Sequence, residues 1–146
     1  MATATTTPGP LIGNHDAHAK SFSLLYASQT PVLAPFYDLR TTSIYPTLTP
    51  KMAMTIDCKY KFSEVQARHW EQFGQSAGLG KASARKRILE LAKALPLAAC
   101  SLQQAGGSPY QGNAVVERIV VLIEQRCDLT VQRLSALAAD QDVATD

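Results

Sequence analysis

Two acidic side chains near the start of the chain have neighbours that suit phosphoryl transfer. Asp16 lies in the polar stretch GNHDAHAKSFSLLY, residues 13–26, and Asp38 follows in APFYDL. A loop aspartate taken alone most often accepts backbone N–H groups in a turn, which is the structural alternative for Asp16. Phosphoryl transfer needs one carboxylate near the nucleophilic hydroxyl and a second that binds the Mg²⁺ bridging the nucleotide phosphates. The order and spacing of Asp16 and Asp38 favour this chemistry.

A short hairpin is expected to hold the two aspartates. The alternation in SFSLLY predicts a half-buried strand with Phe22, Leu24 and Tyr26 on one side. TPVLAPFYDL predicts a second strand that pairs with the first around residues 27–31 and ends near Asp38. After a loop rich in Thr and Pro, KMAMTID predicts a third strand.

From Ser63 onward the apolar period of about 3.6 predicts helices. Ser63 and Gln66 match the S-x-x-Q capping box, and the apolar stripe that follows ends at Gly78. A second helix is predicted over residues 82–94, and Pro96 is expected to interrupt it after its last turn. From about residue 113 the spacing predicts one long helix, or two joined near residue 128. The layout is α+β, with a small strand hairpin followed by helices.

Composition restricts the function classes. The 146 residues suit one domain, and a net charge of +2 is too weak to indicate direct nucleic-acid binding. No run approaches the roughly 18 apolar residues of a membrane span, and MATATTTPGP lacks a secretory signal, which predicts a cytoplasmic protein without a membrane partner. Cys58, Cys100 and Cys127 form no C-x-x-C pair and are expected to be buried, reduced thiols.

The motifs resemble those of the HipA-like serine/threonine kinases of bacterial toxin–antitoxin systems. Their catalytic loop reads approximately D-x-H-x-K-N-F-S, and the matching residues here are Asp16, His18, Lys20, Phe22 and Ser23. APFYDL followed by RTTS is similar to the family's metal-binding segment, and KMAMTI is similar to its Lys-x-Ala-Met strand. The resemblance implies a kinase C-lobe over residues 11–139, with a flexible lead-in at 1–10 and a flexible tail at 140–146.

The resemblance also implies roles for five residues. Asp16 would be the general base, and Asp38 the main ligand of the Mg²⁺ that accompanies ATP. Lys20 would offset phosphate charge, with a solvated loop lysine as the alternative, and His18 would shape the loop by hydrogen bonding. Ser21 stands where the family has the Asn of the second metal position, and its shorter side chain predicts weaker metal binding.

The family implies protein partners. Its members phosphorylate a serine on a protein, typically an aminoacyl-tRNA synthetase, and are restrained by a DNA-binding antitoxin of the HipB type. No glycine-rich nucleotide cover precedes the catalytic loop in this sequence, so weak or absent activity is expected without an N-lobe, which a second chain would supply. A non-catalytic interaction module and a remnant of a toxin–antitoxin kinase are the alternatives.

Two other motifs have competing interpretations. His15 and His18 would make a zinc pair only with further ligands, and Mg²⁺ prefers oxygen. GLGK, residues 78–81, lacks the spacing of a phosphate-binding loop and is interpreted as the end of one helix and the start of the next.

Overall fold

The chain folds into two small hairpins followed by three helices. The computed structural model describes residues 8–26 and 29–143, with only the backbone described over 137–143. In chain order the elements are α1 (Gly9–Ile12), β1 (Leu24–Leu25), β2 (Val32–Leu33), β3 (Lys51–Ile56), β4 (Lys59–Lys61), α2 (Ala67–Ser76), α3 (Lys81–Gln104) and α4 (Ala114–Val143). Short 3₁₀ turns at Ala19–Ser21, Thr42–Ile44 and Phe62–Glu64 connect them. The α+β class is confirmed.

The first hairpin pairs β1 with β2 as predicted, but its surface is exposed. The strands are antiparallel with Leu24 opposite Leu33 and Leu25 opposite Val32. Leu24 is 51 % exposed and Tyr26 is 73 % exposed, so the predicted half-burial of this strand is wrong. Strand alternation identifies two faces but not whether anything covers them, and no described residue covers these side chains.

The second hairpin adds a strand that the sequence pattern did not reveal. The predicted strand β3 pairs antiparallel with the three-residue β4, with an irregular register between its ends. Asp57 and Cys58 form the turn with φ of 44° and 61°, the left-handed conformation that tight hairpins require. Met52 and Ile56 of β3 are buried and join the hairpin to the core.

Helix α2 begins three residues later than its predicted cap. Ser63 lies in a 3₁₀ turn, and the N-cap of α2 is Gln66. The reciprocal partner is His69, whose Nδ1 accepts the backbone N–H of Gln66 at 2.7 Å. The predicted Ser63 capping box is therefore wrong, because an imidazole performs the reciprocal role expected of Glu or Gln.

Helix α3 continues through Pro96, which was predicted to interrupt it. Proline removes one helical hydrogen bond, at a cost of about 3 kcal/mol in an isolated helix. Buried Ile88 and Ala92 precede Pro96, and partly buried Leu95 and Ala99 flank it, all packed in the core. Tertiary packing on both sides of the proline keeps the helix in one piece.

Helix α4 is one element, which resolves the two alternatives left by the sequence. Its buried residues recur every three or four positions, namely Val120, Ile123, Cys127, Thr130 and Leu134. Ala138 belongs to the predicted stripe, but its side chain lies outside the described ones. The core combines this stripe with α3, α2, β3 and α1.

Three further expectations have mixed outcomes. Cys127 is buried as predicted. Cys58 is exposed because it lies in a turn, and Cys100 is half-buried.

The ends of the helices differ from the predicted lead-in and tail. Helix α1 already begins at Gly9, inside the predicted lead-in, and helical backbone extends to Val143, inside the predicted tail. Residues 1–7 and 144–146 lie outside the described part. Among the described residues, no helix combines the length and apolarity that a membrane span requires.

Candidate active site around Asp16 and Asp38

A sharp turn after α1 delivers the loop that holds Asp16. Gly13 ends the helix in the left-handed conformation, with φ of 76°. A Cβ atom at this position would lie 2.7 Å from the Ser43 hydroxyl, so the close approach also requires glycine. The Asn14 N–H donates to the carbonyl of Gly9 at 2.8 Å, which fixes where the loop starts.

The Asn14 side chain joins the backbones of the two candidate aspartates. Its Oδ1 accepts the Asp16 N–H at 3.0 Å, and its Nδ2 donates to the Asp38 carbonyl at 3.2 Å. Asn14 is only 3 % exposed, so this amide is a buried crosslink rather than a surface contact. The backbones of Asp16 and Asp38 are therefore linked by hydrogen bonds to one side-chain amide.

A second set of contacts joins the loop to the segment before Asp38. Tyr37 donates its hydroxyl to the Lys20 carbonyl at 2.7 Å and accepts a hydrogen bond from the Ser23 hydroxyl at 2.8 Å. The rings of Phe22 and Phe36 pack edge to face, with centroids 6.3 Å apart. These contacts hold the two ends of the first hairpin together, as the sequence predicted from strand order alone.

The Asp38 carboxylate is accessible and has a cationic neighbour. Asp38 has a φ of 56°, and its side chain is 34 % exposed. Arg40 Nε lies 2.6 Å from its Oδ1. Asp16 is also exposed. Both carboxylates are thus open to solvent, and the Asp38 carboxylate is paired with Arg40.

His18 and Ser21 form the tight turn between the two aspartates. The Ser21 hydroxyl lies 3.4 Å from His18 Nδ1 and 3.5 Å from the His18 backbone nitrogen. Ser21 is buried, whereas Lys20 between them is exposed. His18 thus contacts Ser21 within the turn, and its role in shaping the loop stays a prediction. The Ser21 hydroxyl is engaged in the same turn.

The His15 side chain contacts Arg126 on α4. Its Nε2 lies 2.9 Å from Arg126 and 2.9 Å from the Ser43 hydroxyl, and its Nδ1 lies 3.3 Å from the Thr49 carbonyl. Burial lowers the pKa of His15 below its usual value, and the Arg126 charge lowers it further. His15 and His18 therefore have separate partners rather than a common ligand position.

The local donors suit Mg²⁺ better than a transition metal. Within residues 8–26 and 29–143, no three or more His, Cys, Asp or Glu side chains cluster in a way that could hold an ion. Asp38 offers a carboxylate and Ser21 a hydroxyl, and hard oxygen donors of this kind suit Mg²⁺, which usually keeps waters and substrate phosphates as its other ligands. Asp38 and Ser21 are therefore oxygen donors of the kind that Mg²⁺ prefers, and binding of the ion stays a prediction.

The GLGK segment lies between helices, as predicted. Gly78 has a φ of 78° just after α2, and Gly80 is the N-cap of α3. Its role as a helix end and restart explains both glycines.

Asn14 and Arg126 are two polar residues of this site to which the sequence analysis gave no role. Asn14 stands inside the quoted polar stretch, and its place two residues before Asp16 is the one local signal that it carried. Arg126 is 111 positions from His15 and had no local signal.

Comparison with known proteins identifies the family. The HipA-like C-terminal domain family matches residues 9–99, well over half of the chain. The chain belongs to this family. The matched region contains the Asp16 loop, the first hairpin, Asp38 and β3, which are the parts that resembled HipA-like kinases in sequence.

Two curated relatives match part of this chain. A Sinorhizobium fredii protein named "Putative kinase Y4mE" is 47 % identical over 81 residues, or 56 % of this chain and 19 % of its own length. The serine/threonine-protein kinase toxin HipA of Shewanella oneidensis is 27 % identical over 88 residues, or 60 % of this chain and 20 % of its own. The chain thus spans about a fifth of these curated relatives.

A solved structure shares the fold. It is titled as the toxin–antitoxin complex of HipA, HipB and operator DNA from Shewanella oneidensis, and one of its chains aligns with a TM-score of 0.74 at 22 % identity. The alignment covers 88 % of this chain and 30 % of the other. It therefore extends beyond the region that the family comparison matches.

Proposed function

We propose that this domain carries the catalytic loop and the metal-binding segment of a HipA-type protein serine/threonine kinase, which transfers a phosphoryl group from ATP with Mg²⁺ to a protein serine. The observation that carries the proposal is the buried Asn14 amide, which joins the backbones of Asp16 and Asp38. Family membership and the relatives' names support the same assignment.

Each polar residue then has a role. Asp16 would orient the substrate hydroxyl and take its proton, since an accessible carboxylate next to the metal segment can do so. Asp38 would bind Mg²⁺, with Ser21 as a second and weaker donor, and Lys20 would face phosphate charge. When bound, Mg²⁺ would neutralise charge on the phosphates. His18 would hold the turn through Ser21.

We propose that the 146-residue chain alone transfers phosphate weakly or not at all. Phosphoryl transfer depends mostly on positioning and electrostatics. The matched relatives are about five times longer than the part this chain covers, and the present sequence offers no phosphate-binding glycine loop. An N-lobe, in the same or another chain, would supply the missing contacts.

The proposed partners are proteins. A serine-bearing substrate, such as an aminoacyl-tRNA synthetase, follows from the family resemblance, and an antitoxin of the HipB type is supported by the complex that the structural neighbour forms. The net charge of +2 gives no reason to add direct nucleic-acid contact. The cytoplasm is the proposed location, where such partners occur.

The test is calorimetry with Mg²⁺ and the nonhydrolysable ATP analogue AMPPNP, comparing the wild type with Asp38→Asn. Asp38→Asn removes the charged ligand and should weaken binding at least about tenfold, the usual range for disturbing a metal site. Asp57→Asn is the matched control, because Asp57 is also exposed and also has positive φ, at 44°. Equal binding by wild type and Asp38→Asn would refute the metal role.

The second candidate is a non-catalytic interaction module. It is favoured by the apolar surface of the first hairpin, where Leu24, Leu25, Tyr26 and Val32 are all exposed. Exposed apolar clusters commonly mark protein interfaces. Nucleotide binding by the wild type, abolished in Asp38→Asn, would decide for the kinase assignment.

A further inference from the structure

The side chain of Arg126 extends from helix α4 to the candidate catalytic loop. Its Nη1 donates to the Pro10 carbonyl at 2.7 Å, while its Nη2 lies 2.9 Å from His15 Nε2 and 3.0 Å from the Ser43 hydroxyl. The guanidinium carbon lies 4.4 Å from the centroid of the Phe62 ring. One planar cation thus contacts α1, the Asp16 loop, the segment after Asp38 and the turn after β4.

The hydrogen-bond directions determine the form of His15. Arg126 can only donate, so His15 Nε2 must accept and carries no proton. The proton then sits on Nδ1, which faces the Thr49 carbonyl at 3.3 Å. The Ser43 hydroxyl accepts from Arg126, and its single hydrogen is shared between two acceptors, the Gly13 carbonyl at 2.8 Å and His15 Nε2 at 2.9 Å. The Gly13 carbonyl also accepts the Ser43 N–H at 3.1 Å, so either position of that hydrogen keeps His15 neutral with its proton on Nδ1.

The same cluster holds the backbone on both sides of the site. The N–H of His15, directly before Asp16, donates to the Thr42 hydroxyl at 2.9 Å, and the carbonyl of His15 accepts the Ala53 N–H at 2.7 Å. The Ser43 N–H donates to the Gly13 carbonyl at 3.1 Å. Arg126 therefore acts where the Asp16 loop and the segment after Asp38 are joined.

We infer that Arg126 is a positioning residue for the Asp16 loop, acting through neutral His15 and Ser43. Arg126 lies outside residues 9–99, the region that the family comparison matches, so the family match does not assign it a role. A lysine would not replace it fully, because a single ammonium lacks the planar fork that reaches Pro10 and His15 together. The inference rests on the proposed function for the meaning of that positioning.

Arg133 offers a matched control on the same helix. It also donates to backbone carbonyls, those of Ser63 at 3.0 Å and Val65, in the turn before α2. Its loss should lower stability without changing the Asp16 loop. Arg126→Met and Arg133→Met therefore separate general support by α4 from positioning of the loop.

The experiment uses the whole chain and two measurements. The first is ¹⁵N NMR of the His15 imidazole, assigned with His15→Gln; the second is calorimetry with Mg²⁺ and AMPPNP. We expect an Nδ1–H tautomer in the wild type and in Arg133→Met. In Arg126→Met we expect a changed tautomer balance and roughly tenfold weaker nucleotide binding, as for loss of a group that orients a ligand. Arg126→Lys should give a tautomer balance and a nucleotide affinity between those of the wild type and Arg126→Met. If Arg126→Met does not fold, Arg126→Lys takes its place in the comparison.

The outcomes distinguish the inference from the proposed function. An unchanged His15 tautomer in Arg126→Met overturns the inference, as does equal loss of nucleotide binding in Arg126→Met and Arg133→Met. If the wild type binds no nucleotide, the proposed function fails, and the His15 signals alone decide: a change specific to Arg126→Met supports loop positioning, and no change overturns it.

Discussion

Asp38 combines an exposed carboxylate with a backbone conformation that few side chains adopt. Its φ of 56° lies in the left-handed region, which aspartate and asparagine tolerate better than other non-glycine residues. The Asn14 amide holds its carbonyl. Asp38→Asn therefore changes the charge while keeping the conformation, whereas alanine would add backbone strain and confuse the two effects.

Neutral His15 predicts a pH dependence of stability. Its pKa lies below the ordinary value of 6.5 because burial, and then the Arg126 charge, disfavour the imidazolium. The unfolded chain consequently binds this proton at higher pH than the folded chain. The stabilisation from neutral His15 is complete above pH 6.5 and is lost as the pH falls from 6.5 through the lowered pKa. Chemical denaturation between pH 8 and 5 should show this fall.

The control for the pH experiment is His15→Gln, which keeps a hydrogen-bonding side chain and does not titrate. Its unfolding free energy should fall less between pH 7 and 5 than that of the wild type. A residual slope is expected from His69, whose pKa burial and Arg68 also lower. Identical slopes for wild type and His15→Gln would contradict a neutral, Arg126-bound His15.

The site residues differ in how far the sequence can predict them. Asp16, Asp38 and His18 lie in short motifs that resemble those of a kinase family, and the Asn14 side chain joins the backbones of the two aspartates. Asn14 contacts Asp38 across 24 positions, and Arg126 contacts His15 across 111. Such contacts depend on how α4 packs on the loop, and no local periodicity encodes that packing.

Three arginines of helix α4 donate hydrogen bonds to backbone carbonyls in the first half of the chain. Arg118 donates to the Ile44 carbonyl, Arg126 to Pro10, and Arg133 to Val65 and Ser63. Spacings of eight and seven residues place the three on one side of a helix. These segments are thereby held by charge-assisted hydrogen bonds to their carbonyls, which are stronger than neutral ones.

Helices α2 and α3 approach so closely that one position tolerates no side chain. A Cβ atom on Gly74 would lie 2.2 Å from the Ala84 Cβ. Gly74→Ala should therefore destabilise the fold by about 1–3 kcal/mol, the usual cost of overpacking, despite the better helix propensity of alanine. Thermal and urea unfolding measure the change.

Gly106→Ala is the control for Gly74. Gly106 lies in the turn after α3, no atom lies within 4 Å of a Cβ built on it, and its φ is not in the left-handed region. Its effect should stay within about 0.5 kcal/mol. If Gly74→Ala is as stable as Gly106→Ala, the two helices can separate without cost and the close contact does not specify their packing.

Periodicity predicted the helices better than it predicted their ends. The stripes of α3 and α4 bury the expected residues, because a period of 3.6 reflects which face meets the core. The prediction that Pro96 ends α3 was wrong. It considered the local cost of a proline in a helix but not the packing of the residues before and after it in the core. Strand β4 was missed because three residues, Lys59–Lys61, are too few to show the period of a strand.

At the scale of the whole molecule, apolar surface is divided unevenly. The core joins α1 and β3 to the three long helices, whereas the first hairpin beside Asp16 and Asp38 leaves its apolar side chains exposed. The chain covers about a fifth of its curated relatives. An exposed apolar hairpin of this kind is a surface that commonly contacts another protein.

This surface predicts self-association that depends on the hairpin. Leu25 and Val32 are paired across the two strands and are 47 % and 52 % exposed, so each removes apolar area from water when a partner covers it. The double variant Leu25→Ser/Val32→Ser should lower the apparent mass seen by light scattering at high concentration. Leu97→Ser is the control, because Leu97 is 71 % exposed but lies on α3. The prediction fails if the wild type stays monomeric at every soluble concentration, or if Leu97→Ser lowers the apparent mass as much as the double variant does. Either result would mean that the hairpin does not mediate self-association.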